Sequence, residues 1–329
     1  MLLTNCSIDR KLSVKLFYFL LSFSISFIIF LFFSSINGYL EASIDRNSYL
    51  QSFARGQTFF DYFDEHSILT YFTREWLWNE GGELLVSYIG SADLYLLLIS
   101  FIILLVFISF VIYKTNLFYI VFIINPLFID LAFSQVRIGV AFVFLSLAYI
   151  LRQKKFLLVT FILMSLSIHT SSVIFVLGYF LIYISGHYTD LSQGGRFNYV
   201  VLVAFVASFM MGPMREIILT FLNDRRAEYP DVSSGIMYMS YWIVLLFTFM
   251  IAKSKVYLDN LSLFAIFILS VACFNVVFGF YSVRFIAVGL PFFAYAIHKS
   301  LHPLTLKVYM LIAYNSFNIL LWYYWVLKF

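Results

Sequence analysis

The sequence predicts an all-α protein, a polytopic integral membrane helical bundle. Two observations carry this prediction. The 329-residue chain is 63% hydrophobic and only 12% charged, whereas an ordinary soluble domain is about 25% charged. Its apolar residues, which include 41 phenylalanines, are gathered into long runs, and about 20 such residues make one helical crossing of a bilayer. A soluble fold of this length has too few polar residues to cover so much apolar surface.

The N-terminal run is the first predicted element. Arg10, Lys11 and Lys15 precede an apolar stretch from Leu16 to Phe33. This stretch is longer than the roughly 7–15 residues of a signal-peptide core, and no small-residue cleavage site follows it. We therefore expect a retained helix whose N-terminal end faces the cytoplasm.

Ten further runs complete a prediction of about eleven transmembrane helices in a single membrane domain, 1–329. Runs of spanning or nearly spanning length are Leu94–Tyr113, Ile236–Ala252, Leu261–Tyr281 and Val308–Leu327. Shorter runs are Leu117–Ile129, Ile138–Leu151, Phe156–Ile168, Val173–Ile184, Tyr199–Met211 and Phe285–Ile297. Short spans are typical of helices that border an internal cavity.

The stretch Phe156–Ser185 forms either one long tilted helix or two short helices. A single helix of this length would measure roughly 45 Å, which is more than a bilayer core of about 30 Å accommodates easily. We predict two helices broken at His169-Thr170-Ser171-Ser172, where either serine is a plausible N-cap for the second helix. Eleven spans also place nine of the ten lysines on the cytoplasmic side, as the positive-inside rule requires.

The two longest polar segments, 37–93 and 213–235, are expected on the outer (periplasmic) face. The first is too aromatic to be disordered, so we expect short amphipathic helices packed on that face. Eight of the eleven arginines are also expected on this side: Arg46, Arg55, Arg74, Arg137, Arg215, Arg225, Arg226 and Arg284. Arginine offers a planar fork that matches phosphate and carboxylate, which lysine does not.

Two arginines are the leading candidates for a binding site. Arg137 lies between two apolar runs, where an ionisable residue points to function; the structural alternative is an ion pair with Asp130. Arg284 begins a short helix at a similar boundary. The structural alternative for Arg284 is that its charged end snorkels to the membrane interface. Together the two arginines would form a pyrophosphate clamp, with Gln135 and Tyr281 beside them as further substrate contacts.

Candidate bases and sugar contacts lie nearby in the sequence. His169, at the proposed break, either acts as a general base or donates a hydrogen bond to a phosphate. The alternative is a core histidine whose hydrogen bonds are satisfied within the protein. Glu75 is the outer-segment carboxylate that we select as the alternative base. Arg74 and Glu75 stand beside Trp76 and Trp78, which form either a sugar platform or an interfacial aromatic belt.

Arg215 and Arg225, in the second outer segment, either grip an anionic headgroup or saccharide or belong to a solvated charged face. Other classes of site are disfavoured. The net charge of +4 is small, and no nucleic-acid motif accompanies it. Cys6 and Cys273 are too few for a disulfide framework or a metal site. No nucleotide-binding, zincin or hydrolase motif is present, so we expect metal-independent chemistry without a cofactor.

One region has a recognisable order of motifs. Gln135-Val136-Arg137 is followed by an apolar helix with small residues, a basic turn at Arg152-Gln153-Lys154-Lys155, another apolar run and His169-Thr170-Ser171-Ser172. This region, Ser134–Phe180, resembles the EpsG-like family of bacterial exopolysaccharide and O-antigen polymerases of the Wzy type. Thr170 stands where lysine is common in that family. The rest of the chain is similar to it only in layout.

The resemblance implies a GT-C-like membrane fold in the bacterial inner membrane with an active site facing the periplasm. It also implies the substrate, an oligosaccharide repeat unit carried on undecaprenyl pyrophosphate. The implied partners are a Wzz-type chain-length regulator and the surrounding membrane lipids. The growing chain would pass from its carrier to the non-reducing-end sugar of a new unit. Arg137 and His169 match the family core, and Arg284 fits its later arginine.

Three rival functions stay open. A flippase or transporter for a lipid-linked glycan predicts arginines through the full membrane depth. A membrane O-acyltransferase predicts histidine and arginine near the first helices. An O-antigen ligase predicts one much larger outer loop late in the chain, where this sequence has only the short segment 213–235.

Overall fold

The computed structural model describes residues 2–36, 40, 43–55, 75–188, 190–221, 236–252 and 258–327. These residues form helices and no strand. The α-helices are α1 Leu2–Ser34, α2 Ile44–Arg55, α3 Trp76–Ile89, α4 Ala92–Lys114, α5 Pro126–Phe133, α6 Val136–Ile150, α7 Lys155–Ile168, α8 Ser172–His187, α9 Gln193–Met211, α10 Arg215–Phe221, α11 Ser240–Ala252, α12 Asn260–Val277, α13 Val283–Ser300 and α14 Leu304–Val326. Two 3₁₀ helices, Leu117–Phe122 and Ile236–Met239, complete the described part.

The helices bear out a membrane-embedded protein. Within the described residues, five helices are long and apolar enough to cross a bilayer: α1 over Ser13–Ser34, α4, α9, α12 and α14. A sixth crossing results if α5 and α6, bent by 94° at their junction, count as one broken span. Helices α7, α8 and α11 are apolar but shorter, at 10–17 residues.

Helix α12 is the centre of the bundle. In its spanning window 78% of the residues are buried, against 22% in the corresponding windows of α1, α9 and α14. A helix that is apolar on every side belongs inside a bundle or against lipid, and here both cases occur. The peripheral helices turn their large apolar side chains outward, as Phe17 and Ile28 on α1 do, with 62% and 66% of their surfaces exposed.

The break near His169 is confirmed. Helix α7 ends at Ile168 and α8 begins at Ser172, so the stretch is two helices rather than one. Ser171 occupies the N-cap position of α8, as the sequence suggested, but its side chain makes no capping hydrogen bond.

The prediction that Leu117–Ile129 forms one transmembrane helix was wrong. Its first half is the 3₁₀ helix, and α5 begins only at Pro126. Proline fits the first turn of a helix but not its interior. The side chain of Asn125 accepts a hydrogen bond from the backbone N–H of Leu127 at 2.9 Å and caps the new helix.

Side chains of α14 satisfy the backbone at this break. Asn318 donates to the carbonyl of Ile124 at 2.8 Å, and the indole of Trp322 donates to the same oxygen at 3.3 Å. Asn125 in turn donates to Tyr314 and Asn318, both at 3.0 Å. Unsatisfied backbone groups at membrane depth cost several kcal/mol each, so α14 makes a non-helical segment possible there.

Several helix ends meet at one end of the bundle, which we call the site end. It is defined by Asp45 on α2, Glu75 before α3, Arg137 on α6, His169 at the break and Arg284 on α13. Glu75 contacts both Arg137 and His169, and Asp45 contacts Arg284. The two short helices α2 and α3 bear out the expectation of short helices in segment 37–93.

The opposite end of the bundle holds other polar contacts. The hydroxyl of Tyr113 donates to the carbonyl of Lys15 at 2.8 Å, and Arg196 donates to Asn260 at 2.7 Å.

Candidate functional site

Glu75 joins two of the predicted site residues. One of its carboxylate oxygens, Oε2, lies 2.5 Å from a guanidinium nitrogen of Arg137. The other, Oε1, lies 2.6 Å from Nδ1 of His169 and accepts the backbone N–H of Thr170 at 3.1 Å. The Glu75 side chain is 8% exposed, that of His169 15% and that of Arg137 32%. The cluster is therefore closed on the Glu75 side and open on the Arg137 side.

The carboxylate fixes the orientation of the imidazole. An ionised carboxylate can only accept hydrogen bonds, so Nδ1 of His169 carries the hydrogen of the 2.6 Å contact. In the neutral ring Nε2 is then the unprotonated nitrogen, the one able to accept a proton. Both oxygens of Glu75 are occupied by donors, which leaves Nε2 of His169 as the better-placed proton acceptor.

The backbone of Glu75 is strained. Its φ of 61° and ψ of 45° place it in the left-handed region, and it is the only non-glycine residue with positive φ in the described part of the chain. A residue with a Cβ carries a cost of order 1–3 kcal/mol in such a conformation, which persists only where surrounding contacts enforce it. The contacts with Arg137 and His169 supply that enforcement.

The alternative pairing of Arg137 with Asp130 was wrong. Asp130 instead accepts a hydrogen bond from the side chain of Gln135 at 2.7 Å, and its backbone carbonyl accepts the N–H groups of Ser134 and Gln135. These bonds close the end of α5 and turn the chain through the 94° bend into α6. Gln135 thus shapes the bend, and Arg137 one residue into α6 is left facing Glu75.

Helix α2 brings Arg284 to the same region. Asp45 lies 3.2 Å from the guanidinium of Arg284, and the two side chains are 35% and 42% exposed. One turn later on α2, the ring of Tyr49 lies below the guanidinium of Arg137, 5.6 Å from its central carbon. Positions i and i+4 share one face of a helix, so this face of α2 reaches both arginines.

The anchor of α2 is an ion pair in which the arginine is buried and the carboxylate is 57% exposed. Arg46, only 1% exposed, lies 2.6 Å from the carboxylate of Asp93 at the start of α4 and also donates to the carbonyl of Phe133. Ser43 donates to the hydroxyl of Ser134 at 2.6 Å. Helix α2 is thereby tied to the bend that positions Arg137.

The phenol of Tyr49 stands among four charges. Burial raises its pKa above the ordinary value, and this effect outweighs the opposing pull of Arg137; Asp45, Arg284 and Glu75 act on it more weakly. The hydroxyl is protonated at neutral pH, as an ordinary phenol is, so it can donate a hydrogen bond.

Trp78 fits neither of the two alternatives predicted for it, a sugar platform or an interfacial aromatic belt. Trp78 is 3% exposed and packs against Tyr49, Phe53 and Tyr95, with ring centroids 5.1, 6.0 and 6.3 Å away. It is neither a platform nor part of an interfacial belt, because its faces are occupied by other aromatic rings. Its role is to seat α2 and α3 on α4.

The remaining predicted residues lie at different distances from this cluster. Tyr281 packs beneath Arg284, whose guanidinium carbon is 4.9 Å from its ring. Arg215, at the start of α10, lies over Phe280, 5.6 Å from the ring centre. Arg215 therefore borders the turn before α13. Arg74 and Arg225 lie outside the described residues.

Sequence reasoning missed Asp45 and Tyr49. Neither belongs to a motif, and both lie in a polar segment that was described only as short helices. The available signal was their i, i+4 spacing around Arg46, which places an acid and an aromatic hydroxyl on one face. Nothing in the sequence pairs that face with residues some 90 and 240 positions away.

The arrangement combines two functions that group transfer requires. Arg137 and Arg284 offer permanent positive charge and donor forks for a polyanion, while His169, oriented by Glu75, offers a proton acceptor. No protein family, no characterised protein and no solved structure matches this chain in the comparisons made.

Proposed function

We propose that this protein is a membrane glycosyltransferase that polymerises oligosaccharide repeat units carried on undecaprenyl pyrophosphate. The observation that carries the proposal is the contact of Glu75 with Arg137 and His169 at once. A transferase that uses a diphosphate leaving group needs fixed cations for the departing diphosphate and a base for the acceptor hydroxyl. The cluster contains both.

The proposed step is a single displacement at the anomeric carbon. The acceptor hydroxyl loses its proton to Nε2 of His169 while its oxygen forms a bond to that carbon. The bond from the carbon to the diphosphate oxygen breaks, and its electron pair leaves with the diphosphate. Arg137 and Arg284 hold the charge that develops there, and Glu75 orients His169 and Arg137. Fixed guanidinium groups in a water-poor site stabilise such charge more strongly than water does.

The proposal includes a location and an architecture. We place the protein in the bacterial inner membrane with the site end towards the periplasm, in a GT-C-like arrangement. The expected count of about eleven crossings requires the shorter helices, such as α7 and α8, to cross with the five long ones. A Wzz-type regulator is the proposed partner.

Complementation of a polymerase-null strain that makes the cognate repeat unit tests the proposal. We expect wild type to restore a ladder of surface polysaccharide, and Arg137→Lys to give a single repeat, because lysine keeps the charge but loses the planar fork. The matched control is Arg152→Lys, since Arg152 is exposed in the turn between α6 and α7; it should give a full ladder.

Two outcomes contradict parts of the proposal. Absence of a ladder with wild type, at normal membrane expression, rejects the polymerase and leaves the ligase or the transporter. A full ladder with Arg137→Lys keeps the polymerase but removes Arg137 from its site.

A further inference from the structure

The face of α2 that carries Tyr49 has chemistry that the proposed displacement does not use. The ring of Tyr49 lies 5.1 Å from that of Trp78, and the guanidinium carbon of Arg137 lies 5.6 Å from the centre of the same ring. Its hydroxyl makes no hydrogen bond with any residue in the described part of the chain. Buried polar groups are normally hydrogen-bonded, so a fixed donor with no partner among the described residues is available to a ligand.

The charges around this hydroxyl indicate what that partner is. Arg137 and Arg284 both act on the phenol, and the ion-pair partner of Arg284 among the described residues is the partly exposed carboxylate of Asp45. An exposed pair of this kind contributes little stability, about 0–1 kcal/mol. An anion that binds both arginines can therefore replace Asp45, and its oxygens would then lie beside the hydroxyl of Tyr49.

The position of α2 is firm enough for such a contact. Arg46 and Ser43 tie the helix to Asp93 and Ser134, so the hydroxyl has a fixed place relative to Arg137. A donor held in place before the ligand arrives loses little conformational freedom on binding.

We infer that Tyr49 is a substrate-binding residue whose hydroxyl donates a hydrogen bond to an oxygen of the carrier diphosphate, between Arg137 and Arg284. The inference rests on the proposed function and adds a third contact to the leaving group. It also assigns a binding role to α2, the helix that no motif had marked.

Binding of a short prenyl diphosphate tests the inference. Farnesyl diphosphate is titrated by calorimetry into the purified full-length protein in detergent, and into its Tyr49→Phe, Tyr95→Phe and Arg137→Lys variants. Phenylalanine keeps the ring against Trp78 and removes only the hydroxyl. We expect Tyr49→Phe to bind about tenfold more weakly, the usual effect of losing one hydrogen bond to a charged group.

Tyr95→Phe is the matched control. Tyr95 packs on the same Trp78, but no charged group acts on its phenol, so its variant should bind as wild type does. The melting temperature of each variant reports whether the fold is kept.

The outcomes separate the inference from the proposed function. Equal affinity of Tyr49→Phe and wild type, with Arg137→Lys weakened, overturns the role of Tyr49 and leaves the diphosphate site standing. Equal losses in Tyr49→Phe and Tyr95→Phe also overturn it, because the effect is then one of packing. Absence of binding by wild type, together with no ladder in cells, rejects the proposed function and the inference with it.

Discussion

At the scale of single residues, Glu75 is the side chain on which the candidate site depends. Its two oxygens accept from different partners, a guanidinium and an imidazole, and its backbone is held in a conformation that costs energy. Removing its charge changes two neighbours at once: Arg137 loses this counter-ion, and the tautomer of His169 is no longer fixed, because an amide can donate as well as accept.

We therefore expect Glu75→Gln to reduce the rate of polymerisation by about 100-fold, because His169 is then no longer held in the tautomer and orientation that its role as general base requires, and general-base catalysis contributes roughly 100-fold or more. The rate is measured in membrane vesicles supplied with lipid-linked repeat units. Glu83→Gln is the matched control because Glu83 lies on the same helix, α3, and its pKa is raised only by partial burial and by Glu80. A Glu75→Gln enzyme as fast as the control contradicts the role given to Glu75.

The sequence identified Glu75, Arg137 and His169 but not the way they are paired. Arg137 was given Asp130 as its alternative partner because the two are close in the chain. The bend at Ser134 and Gln135 rotates α6 away from α5, and the 94° between them separates what sequence distance suggested was near. Residue type predicts chemistry, whereas partnership depends on helix directions that single-sequence patterns do not contain.

At the scale of elements, the contact between α2 and α3 depends on a missing side chain. A Cβ at Gly82 would lie 2.7 Å from the ring of Phe53 on α2, and that buried ring cannot move away easily. The neighbouring Gly81 is different, since a Cβ there would meet only the flexible end of Leu77, at 3.2 Å. Two adjacent glycines on one helix thus serve different purposes.

Gly82→Ala is expected to displace α2 from its packing contact with α3, at an overpacking cost of about 1–3 kcal/mol. The melting temperature in detergent should fall. The substitution should also shorten the polysaccharide ladder, because α2 carries Asp45 and Tyr49. Gly81→Ala should match or slightly exceed wild type in stability, since alanine is the better helix former by about 0.5–1 kcal/mol. Similar behaviour of the two variants would show that α2 is not seated through Gly82.

The helices also show which sequence signals were sufficient to predict a transmembrane helix. Runs of spanning length became helices at close to their expected limits, as α4 and α12 did, because apolar composition over about 20 residues decides the outcome. The prediction of one helix over Leu117–Ile129 failed because the apolar run is continuous while the helix is interrupted. The sequence signal for the interruption was Asn125-Pro126, an N-cap residue followed by a residue suited to the first turn of a new helix.

At the scale of the whole molecule, the two ends of the bundle differ in their charged residues. Arg137, Arg284 and the carboxylates that hold them lie at the site end. The basic turn that contains Arg152 and Lys155, joining α6 to α7, lies at the other end of those helices. This distribution underlies the proposed orientation, with the basic turn in the cytoplasm.

Cysteine labelling checks that orientation. In a variant with Cys6 and Cys273 replaced by serine and alanine, Tyr88→Cys on α3 and Gln153→Cys in the basic turn provide exposed thiols at opposite ends. We expect a membrane-impermeant maleimide to label Tyr88→Cys in intact spheroplasts and Gln153→Cys only after permeabilisation. The reverse pattern would place the candidate site in the cytoplasm and end the periplasmic proposal.

The wide spacing of the contacting residues has a consequence for biosynthesis. Asp45 meets Arg284 across 239 positions, and Asn125 meets Asn318 across 193. While the ribosome is still translating, the broken segment before α5 is already made, but the side chains that satisfy its carbonyls are not. The nascent chain must therefore keep that segment shielded from lipid until the last helix is inserted. A chain stopped before α14 would hold every charged residue of the site and still lack the side chains that satisfy the backbone at this break.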